Sequence, residues 1–508
     1  MIKSDLCYNV YVKKKLTISK LFLYKHRFGI GYILLGIAFV GLVLTLPLLS
    51  PYGLSESEMS SAVASHNTHF SSLLDGDFID LPYHVLQKLS ITVFGLSAYA
   101  IKLPSMIIGL VLGTLIVLLL NRWFKRNVAL LASILSVLSV PFFFLAGYGT
   151  PMIMFVFWPT ILLWLGGKIQ GKNDGKNQPR PFYAVLLAFA LILSVFTPYM
   201  IYLVLFILVF ALLSPHLRFT IKRLPKILLV AVALIVLGGL GLVGFCAIQH
   251  SETLLSLIFT NDFSVNQYLA NLGIAFRPFF AWTGNIEGVF LAPLIGLASL
   301  ALVLVGLFST AKGFFASRNA IATCLIVFAV LLSGFNPDIA ILIILPFAIL
   351  IAHGLRYTLE KWYNLFPTNP YARVFAIIPI GVLIGIIIVS DLSHFIFGYR
   401  YSPPTASQFN NDLALVEKHL QSGDTLLVDD DSVQYNFYHI LTESTDINVV
   451  KDVPLQYTGH LATLGKWNKP GSLGTLDRII TSPKSDNSDR IYLYTVKVNE
   501  NTQEENNG

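Results

Sequence analysis

Glu56 and Glu58 are the first residues in this chain whose type and place suggest chemistry. They sit in SPYGLSESEMSSAVASH (residues 50–66), a turn or two beyond FGIGYILLGIAFVGLVLTLPLLS, a run without a single charged residue. A carboxylate at that place can take a proton from a hydroxyl or amine presented at a membrane surface. Groups that could hold an anion are scarce. Lys88, Lys102 and Arg277 are the only lysines or arginines in the outer segments before the C-terminal tail, and Tyr83 and His84 share a short segment with Lys88. Asn336 and Asp338 lie on the same side, between two later apolar runs. Donors and cations of this kind stabilise charge that develops on a leaving group.

The elements that must position these residues are membrane helices. The chain is 55% hydrophobic and 12% charged, about half the charge of an ordinary soluble protein. Apolar runs at roughly 28–50, 100–121, 128–147, 150–167, 182–197, 198–214, 227–247, 288–308, 319–334, 338–355 and 371–391 read as spans, about eleven in all. With the N-terminus inside, the inner segments hold about 23 Lys+Arg against about 3 Asp+Glu, and the outer ones about 12 against about 25. That asymmetry follows the positive-inside rule loop after loop. The net charge of +7 is therefore a topology signal, with attraction to anionic lipid headgroups, and not the mark of a nucleic-acid partner.

Residues 1–27 form a basic inner tail, and 28–391 a membrane module with outer loops 51–99 and 248–287. Residues 392–497 form an outer domain, and 498–508 a disordered end. In the outer domain DLALVEKHLQSGD reads as an amphipathic helix closed by a turn, and SVQYNFYHILTE as a second helix. TLLV, INVV, RIITS and RIYLYTVKV read as strands. The predicted fold is thus an all-α polytopic bundle carrying a small extracytoplasmic α/β domain. Three cysteines offer no disulfide framework. The absence of an Asn-X-Ser/Thr sequon fits a bacterial or archaeal source.

Four stretches resemble the GT-C membrane glycosyltransferases that use polyprenyl-phosphate sugars, the protein O-mannosyltransferases and lipid A aminoarabinose transferases among them. These are the acidic pair after the first span, here Ser57-Glu58 with Glu56 before it; the helix LPYHVLQKL; VFGLSAYAIKLPSMIIGL; and the late span DIAILIILPFAILIAHGL. The resemblance implies an enzyme of the cell or plasma membrane that moves a sugar from a polyprenyl-phosphate donor to an acceptor outside. Glu58, helped or replaced by Glu56, would be the base. Lys102, Lys88, Tyr83, His84, Arg277, Asn336 and Asp338 would bind substrate. A divalent cation is the one cofactor left open, and the acceptor is not specified.

The sequence departs from the family at three points. Ser57 stands at the first acidic position, GYGTPMIM (147–154) lacks an Arg and an acid, and GFNPDIAIL has Asp338 where a cation is expected. A catalytically degenerate relative therefore stands as one alternative. A lipid-linked saccharide transporter or scaffold is another, against which the chain shows no internal repeat. Plainer roles are open to single residues. Glu58 can serve as a first-turn helix carboxylate, Lys102 can snorkel, and Asp338 can cap a helix. His66, His69 and His84 lack zinc-helix spacing.

Overall fold

The computed structural model describes residues 22–50, 53–69, 76–169, 181–213, 219, 225–258, 264–280, 295–313, 316–365, 370–401, 408–428, 433–444, 447–452, 459–465, 475–481 and 490–496. The acidic run 429–431, both chain ends and parts of both outer loops lie outside them.

Each of the eleven apolar runs contains described helix. Among the described residues six helices are long and apolar enough to cross a membrane. They lie within 30–49, 98–123, 151–169, 226–245, 337–365 and 378–398. A seventh crossing comes from Arg126–Val137 and Val140–Gly147 taken together, a pair bent by 59°. At the other four positions the helices are apolar but only 10–17 residues long. The protein is a multi-pass membrane protein.

The bundle packs where side chains are small. Gly306 on Leu297–Ala311 and Gly354 on Ile344–Leu365 face one another's backbones. A Cβ added at Gly306 would lie 2.0 Å from the Leu350 carbonyl oxygen, and one at Gly354 would lie 2.2 Å from that of Leu302. Only glycine permits this approach, a common solution in lipid, where close backbone packing replaces the hydrophobic drive. The last long helix, Pro370–Ser393, runs on through a π-helical turn, His394–Gly398, to Tyr401.

The C-terminal domain is a mixed five-stranded sheet of order β4-β3-β5-β7-β6. Its strands are β3 (Thr425–Leu427), β4 (Asn448–Val450), β5 (Gly459–Leu464), β6 (Thr475–Thr481) and β7 (Arg490–Val496). β3 runs parallel to β4 and β5, while β7 is antiparallel to β5 and β6. Helices Asp412–His419 and Val433–Ser444 complete it. The predicted strands and helices are present. The central strand β5 was not foreseen: GHLATL is short and bounded by weak turn signals.

Nor was the domain's attachment foreseen. β1 (Leu54–Ser55), directly before Glu56, pairs antiparallel with β2 (Phe409–Asn410). Gly53 has φ +97°, and a Cβ there would meet the Asn410 carbonyl oxygen at 2.1 Å, so this junction requires glycine. Leu54, Met59, Ala62, Ile91 and Ile101 share one apolar core with Leu413, Val416, Phe437 and Tyr438. The first loop and the tail domain thus bury their apolar surface together.

Candidate functional site

The site is built where three backbones meet: the Glu56–Asn67 helix, the Leu81–Phe94 helix, and the turn Tyr148–Thr150 beside the start of the Ala98–Trp123 span. Ser55 begins the first helix with a reciprocal cap. Its Oγ accepts from the Glu58 N–H (3.2 Å), and Glu58 Oε2 accepts from the Ser55 N–H (2.9 Å). This is the Ser-x-x-Glu capping box, which satisfies two otherwise orphaned donors. The other carboxylate oxygen, Oε1, accepts from the Gly149 N–H at 2.7 Å and lies 3.9 Å from Lys102 Nζ. Glu58 is 0% exposed and Lys102 2%. A Cβ at Gly149 would sit 3.2 Å from Glu58 Oε1 and 2.9 Å from Ile101 Cγ2, so glycine lets the backbone reach the carboxylate.

Gln87 locks the helices to this turn. Its Nε2 donates to the carbonyls of Ile101 (3.0 Å) and Gly149 (2.9 Å), and its Oε1 accepts from Ser61 (2.8 Å) and Ser65 (2.6 Å). All the hydrogen-bonding capacity of the amide is used. Because Ser65 gives its proton to Gln87, His84 Nδ1–H donates to Ser65 Oγ, 2.8 Å away. Burial pushes His84 down to about 4, so it is neutral at neutral pH. Tyr83 is fully buried and shares a 2.7 Å hydrogen bond with Ser105. Burial is the main cause that pushes its phenol upward, and the charges of Glu58 and Asp80 add to it. Tyr148 is pushed up in the same way, first by burial and then by Glu58. Its hydroxyl accepts from Ser55 Oγ at 3.2 Å, with Ser57 and Asp338 also close enough to affect it.

The predicted residues therefore divide. Glu58, Lys102 and Tyr83 converge, and Asp338 reaches their edge through Tyr148. Glu56, on the same first helical turn, is exposed. Lys88 donates to the carbonyls of His66 (3.0 Å) and Thr68 and lies 3.4 Å from His69 Nδ1. It closes the end of the Glu56–Asn67 helix, as cations do at helix C-termini. Asn336 Oδ1 accepts from the Asp338 N–H at 2.9 Å and caps the 3-10 helix Pro337–Ile343. Arg277 is exposed near the end of the Val265–Phe280 helix. Among the described residues no group of three or more His, Cys, Asp or Glu could hold a metal ion.

Asp80 is not among the residues that the sequence singled out. It and Tyr199 are the two non-glycine residues with positive φ among the described residues, at +50° and +62°. The two lie at one junction. Asp80 N–H donates to the Phe196 carbonyl (2.8 Å), and its side chain hydrogen-bonds Thr197, whose Oγ1 accepts from Trp158 Nε1 at 3.0 Å. Asp80 Oδ1 is buried without a hydrogen-bond partner. Burial pushes the carboxyl up to about 7, against the opposing effect of Thr197. The available signal was a lone acid two residues before Pro82, at a helix start.

The chain is thus a helical membrane bundle with a buried acid–base pair beneath its first-loop helices and a mixed C-terminal sheet. The fold is that of ArnT from Cupriavidus metallidurans in the apo state, with TM-score 0.52 at 13% identity over 92% of this chain and 98% of that one. Residues 82–239 match the sequence model of a family described as dolichyl-phosphate-mannose-protein mannosyltransferase, and the resemblance read from the sequence holds. ArnT from the same organism bound to undecaprenyl phosphate also aligns, at 12% identity over 92% of this chain and 99% of that one (TM-score 0.49). The Archaeoglobus fulgidus oligosaccharyltransferase tethered to an acceptor peptide aligns at 12% identity over 82% and 63% (TM-score 0.46). No curated protein matches the sequence.

Proposed function

We propose that this protein transfers a sugar from a polyprenyl-phosphate donor to an acceptor on the extracytoplasmic face of the cell membrane. The observation that carries this reading is the Glu58–Lys102 pair at 3.9 Å. It places a carboxylate and a cation together beneath the first-loop helices, at the head of a membrane span. Lys102 would balance negative charge as the lipid phosphate departs. Glu58 would take the proton of the acceptor hydroxyl or amine, and Glu56 is the alternative base on the same turn. Tyr83 and Tyr148, held protonated, would donate hydrogen bonds and not serve as bases. For Glu58 to act, the acceptor must reach a carboxylate that is 0% exposed and covered by the Gly149 backbone at Oε1. Substrate entry is therefore coupled to movement of the Tyr148–Thr150 turn.

A second reading has its own observation. Glu58 is 0% exposed and both its oxygens are engaged, which suits a structural carboxylate in a relative that binds lipid-linked sugar without turnover. One experiment addresses both readings. Transfer of radiolabelled sugar from a panel of polyprenyl-phosphate donors is measured in membranes for wild type, Glu58→Gln and Glu56→Gln at matched protein levels. Loss of transfer in Glu58→Gln alone supports the first reading. Robust transfer in all three removes both glutamates from the base role. No transfer by wild type, with crude envelope supplied as acceptor, favours the second.

A further inference from the structure

We propose that Asp391 and the cavity it faces form a binding site for one sodium-sized monovalent cation, at a place where two membrane helices lose regular α-helical geometry. Asp391 lies within the apolar span 378–398 and is 6% exposed. Its carboxylate makes no hydrogen bond or ion pair among the described residues. An ionisable group in such a span, turned inward and without a partner, is costly to keep and marks a functional site.

The surroundings say what it would take. The cavity is about 30 Å³, and its other polar lining residues are Ser136, Ser139 and Ser299. Ser136 Oγ donates to the Ala132 carbonyl (2.8 Å) and Ser139 Oγ to the Ser136 carbonyl (2.7 Å). Both hydroxyl protons are thus spent within the helix, and what these serines offer the cavity is lone pairs. The backbone is irregular on two sides. Arg126–Val137 ends and Val140–Gly147 begins at the 59° bend around Ser139, and the 3-10 helix Pro337–Ile343 passes into α-helix at Ile344. Non-helical backbone at membrane depth is tolerated where it lines a cavity, and helix C-terminal carbonyls there coordinate cations.

Size and charge choose the occupant. A volume of about 30 Å³ gives room for a water-sized occupant such as a bare cation. The donors are all oxygen, which selects hard cations. A single carboxylate balances a single positive charge, whereas magnesium and calcium sites draw on more oxygen ligands and charge. Gly296, the N-cap of the Leu297–Ala311 helix, lies against the same group: a Cβ there would be 3.1 Å from Asp391 Oδ1. That helix end favours the ionised carboxylate, yet none of its N–H groups is hydrogen-bonded to it.

The test uses full-length protein in nanodiscs, with thermal unfolding followed in sodium, potassium or choline chloride at constant ionic strength. Sodium at saturation is expected to raise the wild-type Tm by about 2–3 °C, potassium by less, and choline not at all. Asp391→Asn removes the sodium effect and Ser299→Ala weakens it. Should Asp391→Asn fail to fold, Ser299→Ala with direct binding of radioactive sodium to wild type decides the matter. Equal Tm values in the three salts, an undiminished sodium effect in the variants, or no bound sodium overturns the proposal. So does an equal response to sodium and potassium. None of these readouts requires sugar transfer, so the inference stands or falls apart from the proposed activity.

Discussion

Two of the carboxylates buried among the described residues, Glu58 and Asp391, have opposite surroundings. Glu58 accepts from two backbone N–H groups and faces a lysine; Asp391 faces a cavity and accepts from nothing among the described residues. The first is held by a local helix cap, and by a glycine turn and a span brought to it from farther along the chain. The second sits on one span at a seam between broken helices. A buried charge can thus be a joint or a vacancy, and burial alone does not say which. The count of partners does.

The comparison can be broken most severely at the joint. Glu58→Ala leaves Lys102 buried without its counter-charge and is expected to cost about 3–5 kcal/mol, whereas Glu58→Gln combined with Lys102→Met recovers much of it. Unfolding in detergent, monitored with the two variants side by side, reads the difference; equal losses would mean the pair is not a unit. Gly149→Ala comes next. It pushes a methyl onto Ile101 and Glu58 Oε1 and is expected to cost about 1–3 kcal/mol, seen as a lowered Tm together with reduced transfer.

Asp80→Asn tests a third buried carboxylate by pH. Because Asp80 is raised from 3.8 to about 7, the fold favours its protonated form. Its contribution is therefore least unfavourable near pH 4, and stability falls as pH rises through 7, by on the order of 1.4 kcal/mol per unit. His84, lowered from 6.5 to about 4, works in the other direction, adding stability as pH rises from 4 to 6.5. The two slopes oppose each other in wild type. Asn keeps the left-handed backbone of residue 80, so the variant is expected to match wild type near pH 4 and exceed it at pH 8. A pH-independent difference in Tm would contradict this.

The smallest effects lie at exposed positions. Arg277→Ala is expected to change stability by no more than about 0.5 kcal/mol. A large loss of transfer without a change in Tm would return Arg277 to the substrate site.

Local pattern made some of this readable. The acids of the first turn, the helix opening at Leu81-Pro82 and the apolar run around Lys102 follow from spacing and hydropathy, so Glu58, Lys102 and Tyr83 could be named together. The outer domain's alternation likewise gave its two helices and four of the five strands of its sheet. What the sequence withheld depends on partners far along the chain. Lys88 looks like an anion ligand until the end of the neighbouring helix is seen beside it. Gly149 and Tyr148 carry no motif, and their importance comes from the carboxylate and hydroxyls brought against them. Asp391 passed unremarked because it sits at the edge of an otherwise ordinary span. The 59° bend inside the run 128–147 was not legible, because composition does not reveal where a helix bends.

The pairing of β1 with β2 has a consequence in time. Ser50, just before β1, donates to the carbonyl of Phe395, 345 residues later, and Leu54 pairs with Asn410. At a translation rate of 5–20 residues per second, the first loop must wait roughly 20–70 s for its partner strand to leave the ribosome. During that interval the Glu58 helix has no tail domain to cover its apolar face. A chain released before residue 410 would carry every residue of the Glu58–Lys102 pair and lack the strand that fastens them.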